Sequence, residues 1–397
     1  MRMGQVDVNE TDGGVHQRVT QLLQFHPPTS TPPEEFFGHQ YDAGLAFVWM
    51  PEGQGGCAAD RSLQRNIDNT LRSAGAKSPL LRNPLGVGMG IPTLREHGTA
   101  EQRSRFVRPA FTTEEIWCQL FSEPGSGSDL AGLATRAVRD GPDWVINGQK
   151  VWTSLGHLAH IGMLLARTDP DVPKHQGLTF FLVDMRTPGV EVRPLRQMTG
   201  DTEFNEVFLT DVRVPDSARV GDPGDGWRVA STTLSNERVV LSGEGSGAAA
   251  VGGSKVDRII ELARAGGVWQ DPVARDELVR RWIEGRAIRL TNMRYQERRA
   301  GAMNGAEGAV TKLYQGLFNR RLQDTAFRLL ADPAAAWSVD DQRAGSLAHG
   351  LLRAQGNTIE GGTADILRNV LSERALGLPR EPGPDRSTPW SALQPNG

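Results

Sequence analysis

The hydrophobic pattern of this chain predicts an α+β fold in three consecutive parts: helical, then β, then helical. Two observations carry that expectation. Apolar residues recur at helical spacing as far as about residue 115 and again after Gly226, while the stretch between breaks into short runs rich in Val, Phe and Thr, divided by Gly, Pro and Asp. At 397 residues the chain also exceeds the usual size of one hydrophobic core, so two or three packed units are expected.

Residues 1–16 are polar and contain glycine, and they read as a frayed lead-in. Pro27-Pro28 and Pro32-Pro33 then interrupt any early helix. From Asp60 to Phe111 helical faces recur, as in Leu63, Ile67 and Leu71, and in Phe106, Val107 and Ala110. The segment GVGMGIPT, Gly86 to Thr93, has neither the glycine spacing of a dinucleotide loop nor a strand before it, and reads as a tight helix–helix connection. From Ile116 to about Gly221, DWVINGQKVWTS, HIGMLLART, LTFFLVDM, VEVRPL and NEVFLTDVRVP carry strand chemistry, as in a compact barrel or sandwich. DELVRRWIEGRAIRLTNMRYQERR and TKLYQGLFNRRLQDTAFRLLA are long amphipathic segments suited to a helical bundle. Five prolines fall in the nineteen residues after Leu378, so an irregular tail is expected there. The expected divisions are 1–115, 116–222, 223–380 and 381–397.

Composition narrows the function. Lys and Arg total 44 against 47 Asp and Glu, a formal charge of -3, without the basic excess or stripe of a nucleic-acid binder. No run of eighteen apolar residues occurs, and MRMGQVDVNETDGG lacks the apolar core of a signal peptide, so no membrane association is expected. Cys57 and Cys118 lie far apart and match no metal or redox spacing, which suits a reduced cytoplasmic setting without a metal.

The chemistry gathers around FSEPGSGSDLAGLATRAV, Phe121 to Val138, and NGQKVWTS, Asn147 to Ser154. Small residues in the GSGSD turn, Gly125 to Asp129, let backbone approach a ligand, while amides and hydroxyls supply hydrogen bonds. A Gly/Ser turn alone is a weak signal, because such turns commonly join strands. Together with IEGGTADILRNVLSERALGLPR, however, these motifs resemble the acyl-CoA dehydrogenase family in order and separation. The resemblance covers nearly the whole chain, from LAFVWMPEGQGG to Arg380.

That resemblance implies a helical N-terminal domain, a central β-barrel or sandwich domain and a C-terminal four-helix bundle, with FAD held between them. It implies that Gln119, Phe121 and Ser122 line the flavin, that Trp152 packs against the isoalloxazine, and that Ser154 lies near its redox-active nitrogen. Thr363 and Asp365 also fall to the cofactor by this match. Ser128 would face the pantetheine arm of the thioester, and Arg238 and Gly361 would border the substrate. An indole is a large flat packing surface, and a hydroxyl adapts as the flavin changes protonation. Read without the motifs, Trp152 is a core tryptophan and Ser154 a turn hydroxyl.

Dehydrogenation needs a base. Many family members place a glutamate in a motif read as IYEGT; here Ile359-Glu360-Gly361-Gly362-Thr363 puts Gly361 at that position. Isovaleryl and long-chain types instead place it early in the C-terminal helical domain, directly before an arginine, as in Glu237-Arg238 here. Glu237 is therefore implied as the base that takes the proton next to the thioester, with hydride from the next carbon passing to flavin and a trans-2-enoyl-CoA as product. Its bland reading is an arginine pair on a solvated helix face. Glu360, one residue out of register, and Glu244 are the further candidates.

The chain departs from the family in two places. An Arg-x-x-Phe-Gly segment is replaced by ARAGGVWQDPVARDEL, Ala263 to Leu278, and a Gln-x-x-Gly-Gly segment by the shorter HGLLRAQGNTIEGG, His349 to Gly362. Both belong to flavin contacts made across subunits, which implies a homo-oligomer or a heteromer with a related chain. An electron-transfer flavoprotein is the implied electron acceptor. Alternatives within the fold are an oxidase, a carrier-bound acyl dehydrogenase, and a non-catalytic or half-site partner subunit. SGEGSGAAAVGG, Ser242 to Gly253, would either widen the acyl pocket for a branched or polycyclic group or allow close helix packing.

Overall fold

The protein was analysed as a computed structural model, in which residues 8–242, 256–298, 306–330, 342–380, 382 and 387–393 are described. The first part contains α1 (Val8–Phe25), α2 (Pro33–Asp42), α3 (Gln64–Ser73), α4 (Ile91–His97) and α5 (Ala100–Thr112). The proline pairs separate α1 from α2, and Pro33 opens α2, where a missing N–H breaks no helical bond. A capping box of Thr99 and Gln102 starts α5.

Two expectations for this part are corrected. The segment read as a frayed lead-in is already helical at Val8, because Val15, Val19 and Leu22 form a buried stripe that outweighs Gly13 and Gly14. Gly86–Gly90 is a π-helical turn running into α4, not a connection. A Cβ on Gly90 would come within 2.6 Å of the Trp117 ring, so glycine permits this close approach. The buried side chain of Asn83 fastens the turn to the sheet. It accepts from the Trp117 N–H at 3.0 Å and donates to the carbonyls of Ala110 and Glu115 at 2.8 and 2.9 Å.

The middle part comprises β1 (Trp117–Leu120), β2 (Arg136–Asp140), β3 (Asp143–Ser154), β4 (Ile161–Arg167), β5 (Leu178–Asp184), β6 (Val190–Leu195), β7 (Phe204–Pro215) and β8 (Arg219–Val220). They form one eight-stranded sheet in the order β6-β7-β3-β2-β4-β5-β8, with β1 parallel to β4. β4 and β5 are buried on both faces. Met163, Leu165, Phe180 and Leu182 join the core beneath the N-terminal helices. Leu164, Ala166, Phe181 and Val183 alternate with them into a second core, with Trp144, Val207 and Val212.

The last part holds α6 (Gly226–Ser242), α7 (Val256–Ala265), α8 (Pro272–Arg298), α9 (Ala306–Leu330), α10 (Gln342–Gly356) and α11 (Ala364–Val370). α9 packs against α6, α7, α8, α10 and α11, and Ile259, Leu278, Phe318, Leu322 and Leu347 fill the space between the helices. α6 is tied to α4 by hydroxyl contact of Thr93 with Thr233 at 2.9 Å and by His97 Nε2 to Thr232 Oγ1 at 2.8 Å. The tail supplies a third correction: Pro389 bridges to Pro173, and Trp390–Ala392 form a 3-10 turn against the β4–β5 connection. The proline count conceals this order because Trp390 supplies the anchoring surface. Among the described residues, no helix is long and apolar enough to cross a membrane.

Candidate active site

One buried cation joins the two central motifs. Lys150 of β3 has a fully buried side chain, and its Nζ donates to the carbonyls of Phe121 and Leu165 at 3.0 and 2.9 Å and to Glu123 Oε1 at 2.8 Å. Glu123 also accepts from the N–H groups of Ala134 and Thr135 at 2.7 and 2.9 Å, closing the GSGSD loop at its base. Burial pushes Lys150 down to about 8. Burial pushes the Glu123 carboxyl the other way, but the charge and hydrogen bond of Lys150 outweigh it and hold Glu123 below the usual carboxylate range. Beside this pair, the Val151 N–H donates to the Ser122 carbonyl at 2.9 Å.

The next residue is the conformational outlier. β3 and β7 lose register between Lys150 and Thr153, and within that irregularity Trp152 has φ of +61°. Such a backbone is costly for a bulky residue, and a bulge re-aims the side chain it carries. Trp152 is 60% exposed and stands edge-to-face with Phe204, their rings 5.9 Å apart. Ser154 is half-buried opposite Phe204 in the ladder. Gln119 and Ser122 are half-buried, while Phe121 is buried with its ring edge-to-face with Phe180 at 5.9 Å. Ser128 is exposed on its turn, where Ser126 Oγ donates to the Asp129 carbonyl at 2.5 Å and Lys174 binds both Asp129 oxygens at 2.7 Å. The bond from Val151 to Ser122 therefore brings the 119–122 and 151–154 segments side by side.

At the other end, Gly361 and Gly362 have φ of +61° and +98°, a conformation that disfavours any side chain. Glu360 is held by Arg353 Nη2 at 3.0 Å and Asn357 Nδ2 at 2.5 Å. Arg353, itself only 6% exposed, also meets Glu203 at 3.2 Å and lies over the Phe204 ring at 5.8 Å. Glu237 is half-buried on α6, and its charge acts together with that of Glu360 on Lys312. Lys312 is buried and donates to the Asn357 carbonyl at 2.7 Å; burial lowers its proton affinity against the pull of both carboxylates. Glu237 and the 357–363 turn thus lie in one electrostatic neighbourhood. Thr363 caps α11 by accepting from the Ile366 N–H at 3.2 Å, and Asp365, 88% exposed, binds Arg368 of its own helix at 2.6 Å. The Arg238 side chain, Glu244 and residues 243–253 lie outside the described residues. An open cleft of about 550 Å³ between α1 and α2, lined by Arg18, His26, His39 and Asp42 among others, draws on none of these segments.

Residues 118–212 match the family model for the acyl-CoA dehydrogenase middle domain, and residues 224–376 that for the C-terminal domain. Acyl-CoA dehydrogenase IpdE1 of Mycobacterium tuberculosis (strain ATCC 25618 / H37Rv) is 40% identical over 85% of this chain and 86% of its own length. The chain belongs to the acyl-CoA dehydrogenase family. Acyl-CoA dehydrogenase FadE34 of the same organism is 43% identical over 85% of this chain, which spans only 45% of FadE34. Among solved structures, the Tcur3481-Tcur3483 steroid ACAD superposes with a TM-score of 0.74 at 26% identity, covering 96% of this chain and 100% of that one. Membership in a family of flavoprotein oxidoreductases acting on acyl-CoA makes a flavin the expected cofactor.

Several supports of this candidate site in the acyl-CoA dehydrogenase chain escape a reading of motifs. Lys150 was legible only as part of NGQK, yet strand alternation sets it on the inward side with Trp144 and Ile146, where a lysine requires a counter-charge. Arg353 and Lys312 carry no motif, and Glu203 and Asn357, which they respectively reach, come from distant segments.

Proposed function

We propose that this acyl-CoA dehydrogenase is FAD-dependent and converts an acyl-CoA to its trans-2-enoyl-CoA, with Glu237 as the base. The observation that carries this reading is Trp152, held at a costly φ with its indole exposed, one residue beyond the backbone bond of Val151 to Ser122. A flat, exposed indole set edge-to-face on Phe204, with Ser154 opposite Phe204 and Ser122 bonded to Val151, suits a planar ring system, so these residues fit a flavin. Gln119, Phe121, Ser122, Trp152 and Ser154 would hold the isoalloxazine, with Thr363 and Asp365 towards the rest of FAD. When bound, FAD supplies the acceptor for the hydride leaving the β-carbon.

The proton leaves the α-carbon to the Glu237 carboxylate. Two features support that residue over its neighbour: position 361 carries no carboxylate, and both Glu360 oxygens are engaged by Arg353 and Asn357. Ser128 would bind the pantetheine arm, with Arg238 and Gly361 bordering the acyl group. Electrons would pass to an electron-transfer flavoprotein. The 357–363 turn joins α10 to α11 without the family's longer cofactor segment, which supports assembly with a second copy or a related chain. A bulky acyl group is supported by the steroid ACAD among its structural relatives. Both cysteines are free, in keeping with a reducing cytoplasm.

The test is single-turnover bleaching of the flavin absorbance by acyl-CoA. Glu237→Gln keeps size and hydrogen-bonding shape but removes the proton acceptor, so bleaching should slow by at least about 10²–10⁴-fold while Glu360→Gln has a much smaller effect. Parent-rate bleaching in the Glu237 variant would refute the assignment.

A further inference from the structure

Three consecutive carbonyls follow the GSGSD turn, and each is taken by a side chain. Arg167 Nη2 donates to Ala131 at 2.7 Å, and its Nε donates to Leu133 at 3.1 Å. The carbonyl between them, that of Gly132, accepts from Trp390 Nε1 at 3.2 Å, across 258 positions of sequence. The same indole lies under the Arg167 guanidinium, 4.3 Å from its ring centroid. Trp390 is itself anchored on the β4–β5 connection. Its N–H donates to the Val172 carbonyl at 2.9 Å, the Ser391 N–H to that of Pro170 at 2.8 Å, and Ser391 Oγ to Asp171 at 3.0 Å. From the same connection Lys174 holds Asp129, and Arg167 Nη1 donates to the Lys174 carbonyl at 3.2 Å.

These bonds leave the turn clamped from two sides. Glu123 closes its inner base, and Arg167 with Trp390 fixes its outer return. Arg167 is buried deeply enough that its proton affinity is pushed down to about 10, with Glu123, Asp129 and Asp169 opposing the change. A guanidinium so far from water gains from an aromatic face, and covering by Trp390 supplies one.

We propose that Trp390 is a positioning residue for thioester binding: by donating to Gly132 and covering Arg167, it holds the 125–133 turn in the geometry that receives the pantetheine arm of acyl-CoA. The inference rests on the assignment of Ser128 to that arm. It places a determinant of substrate affinity in a segment outside the matched family domains, which end at residue 376.

Hydrogen exchange and steady-state kinetics on the flavin-loaded protein test it together. Trp390→Ala should speed exchange of the Gly132 and Leu133 amides, which close the turn onto Asp129 and Leu130. It should also raise KM for acyl-CoA about tenfold, the scale of one hydrogen bond plus one cation–π contact, with kcat and flavin content within about twofold of the parent. Trp390→Phe keeps a ring under Arg167 and removes only the donor, so it should fall between, and it preserves the test if the alanine variant fails to fold. Unchanged exchange in both variants overturns the clamp. Faster exchange at unchanged KM overturns its role in substrate binding. A parallel fall of kcat and flavin content overturns positioning in favour of general support. Parent flavin that acyl-CoA does not bleach would instead reject the proposed reaction, an outcome to which the exchange measurement is indifferent.

Discussion

Replacing Lys150 by methionine tests whether the SEPGSGSD turn and the NGQK strand act as one unit. The substitution preserves most of the aliphatic volume and removes a buried ammonium with three acceptors. The carbonyls of Phe121 and Leu165 lose their Lys150 donor, and Glu123 retains only the Ala134 and Thr135 amides. Stranding one member of a buried ion pair costs about 3–5 kcal/mol. The two remaining amides place the expected loss towards the lower end of that range. Pairing the change with Glu123→Gln removes the stranded charge, and about half of the loss should return, the signature of direct coupling. Guanidinium denaturation followed by tryptophan fluorescence reads stability, and flavin retained after gel filtration reads the loop. The single variant should release flavin at denaturant concentrations that leave the parent loaded. A loss below about 1 kcal/mol, or a double variant no more stable than the single, would refute the coupling.

With Glu237 as the base we propose, Lys312→Met removes a cation that favours its ionised form, so the acidic limb of the flavin-reduction rate should move to higher pH; Glu360→Gln removes a like charge and should move it lower. Stopped-flow reduction across pH reads both, and shifts of one sign would contradict the shared neighbourhood. His97, whose side chain is 1% exposed, accepts at Nδ1 from Arg228 at 2.9 Å and donates from Nε2 to Thr232. Burial holds its proton affinity below the ordinary histidine value. The folded state therefore binds fewer protons than the unfolded chain in the window below 6.5, and stability should rise with pH through it. Denaturation midpoints measured across that window should lose this slope in His97→Gln.

The strands were legible because alternation and turn residues are local properties; DWVINGQKVWTS corresponds to β3 from Asp143 to Ser154. The π-helical turn at Gly86–Gly90 was not, because Gly90 answers to Trp117, on a strand that follows two further helices. Likewise α1 begins among polar residues whose helical state depends on a stripe further along. At the site, the motifs indicated Trp152 but not its positive φ, which arises from a register change against β7. Arg353 had no sequence signal at all, since Glu203 and Phe204 lie about 150 residues before it.

β4 and β5 act as a party wall between two interiors, and this bears on how the chain comes apart. Stripping away the N-terminal helices would open the core that Met163, Leu165, Phe180 and Leu182 share with them and with Val229 and Ala230 of α6, while their alternate neighbours stayed packed. Neither side can melt without exposing the other's lining, so the helical and β parts should unfold as a single cooperative foldon. A nicked or truncated product beginning near Ile116 would therefore be sticky and short-lived, and protease trimming should cut at exposed tips rather than release the two parts intact.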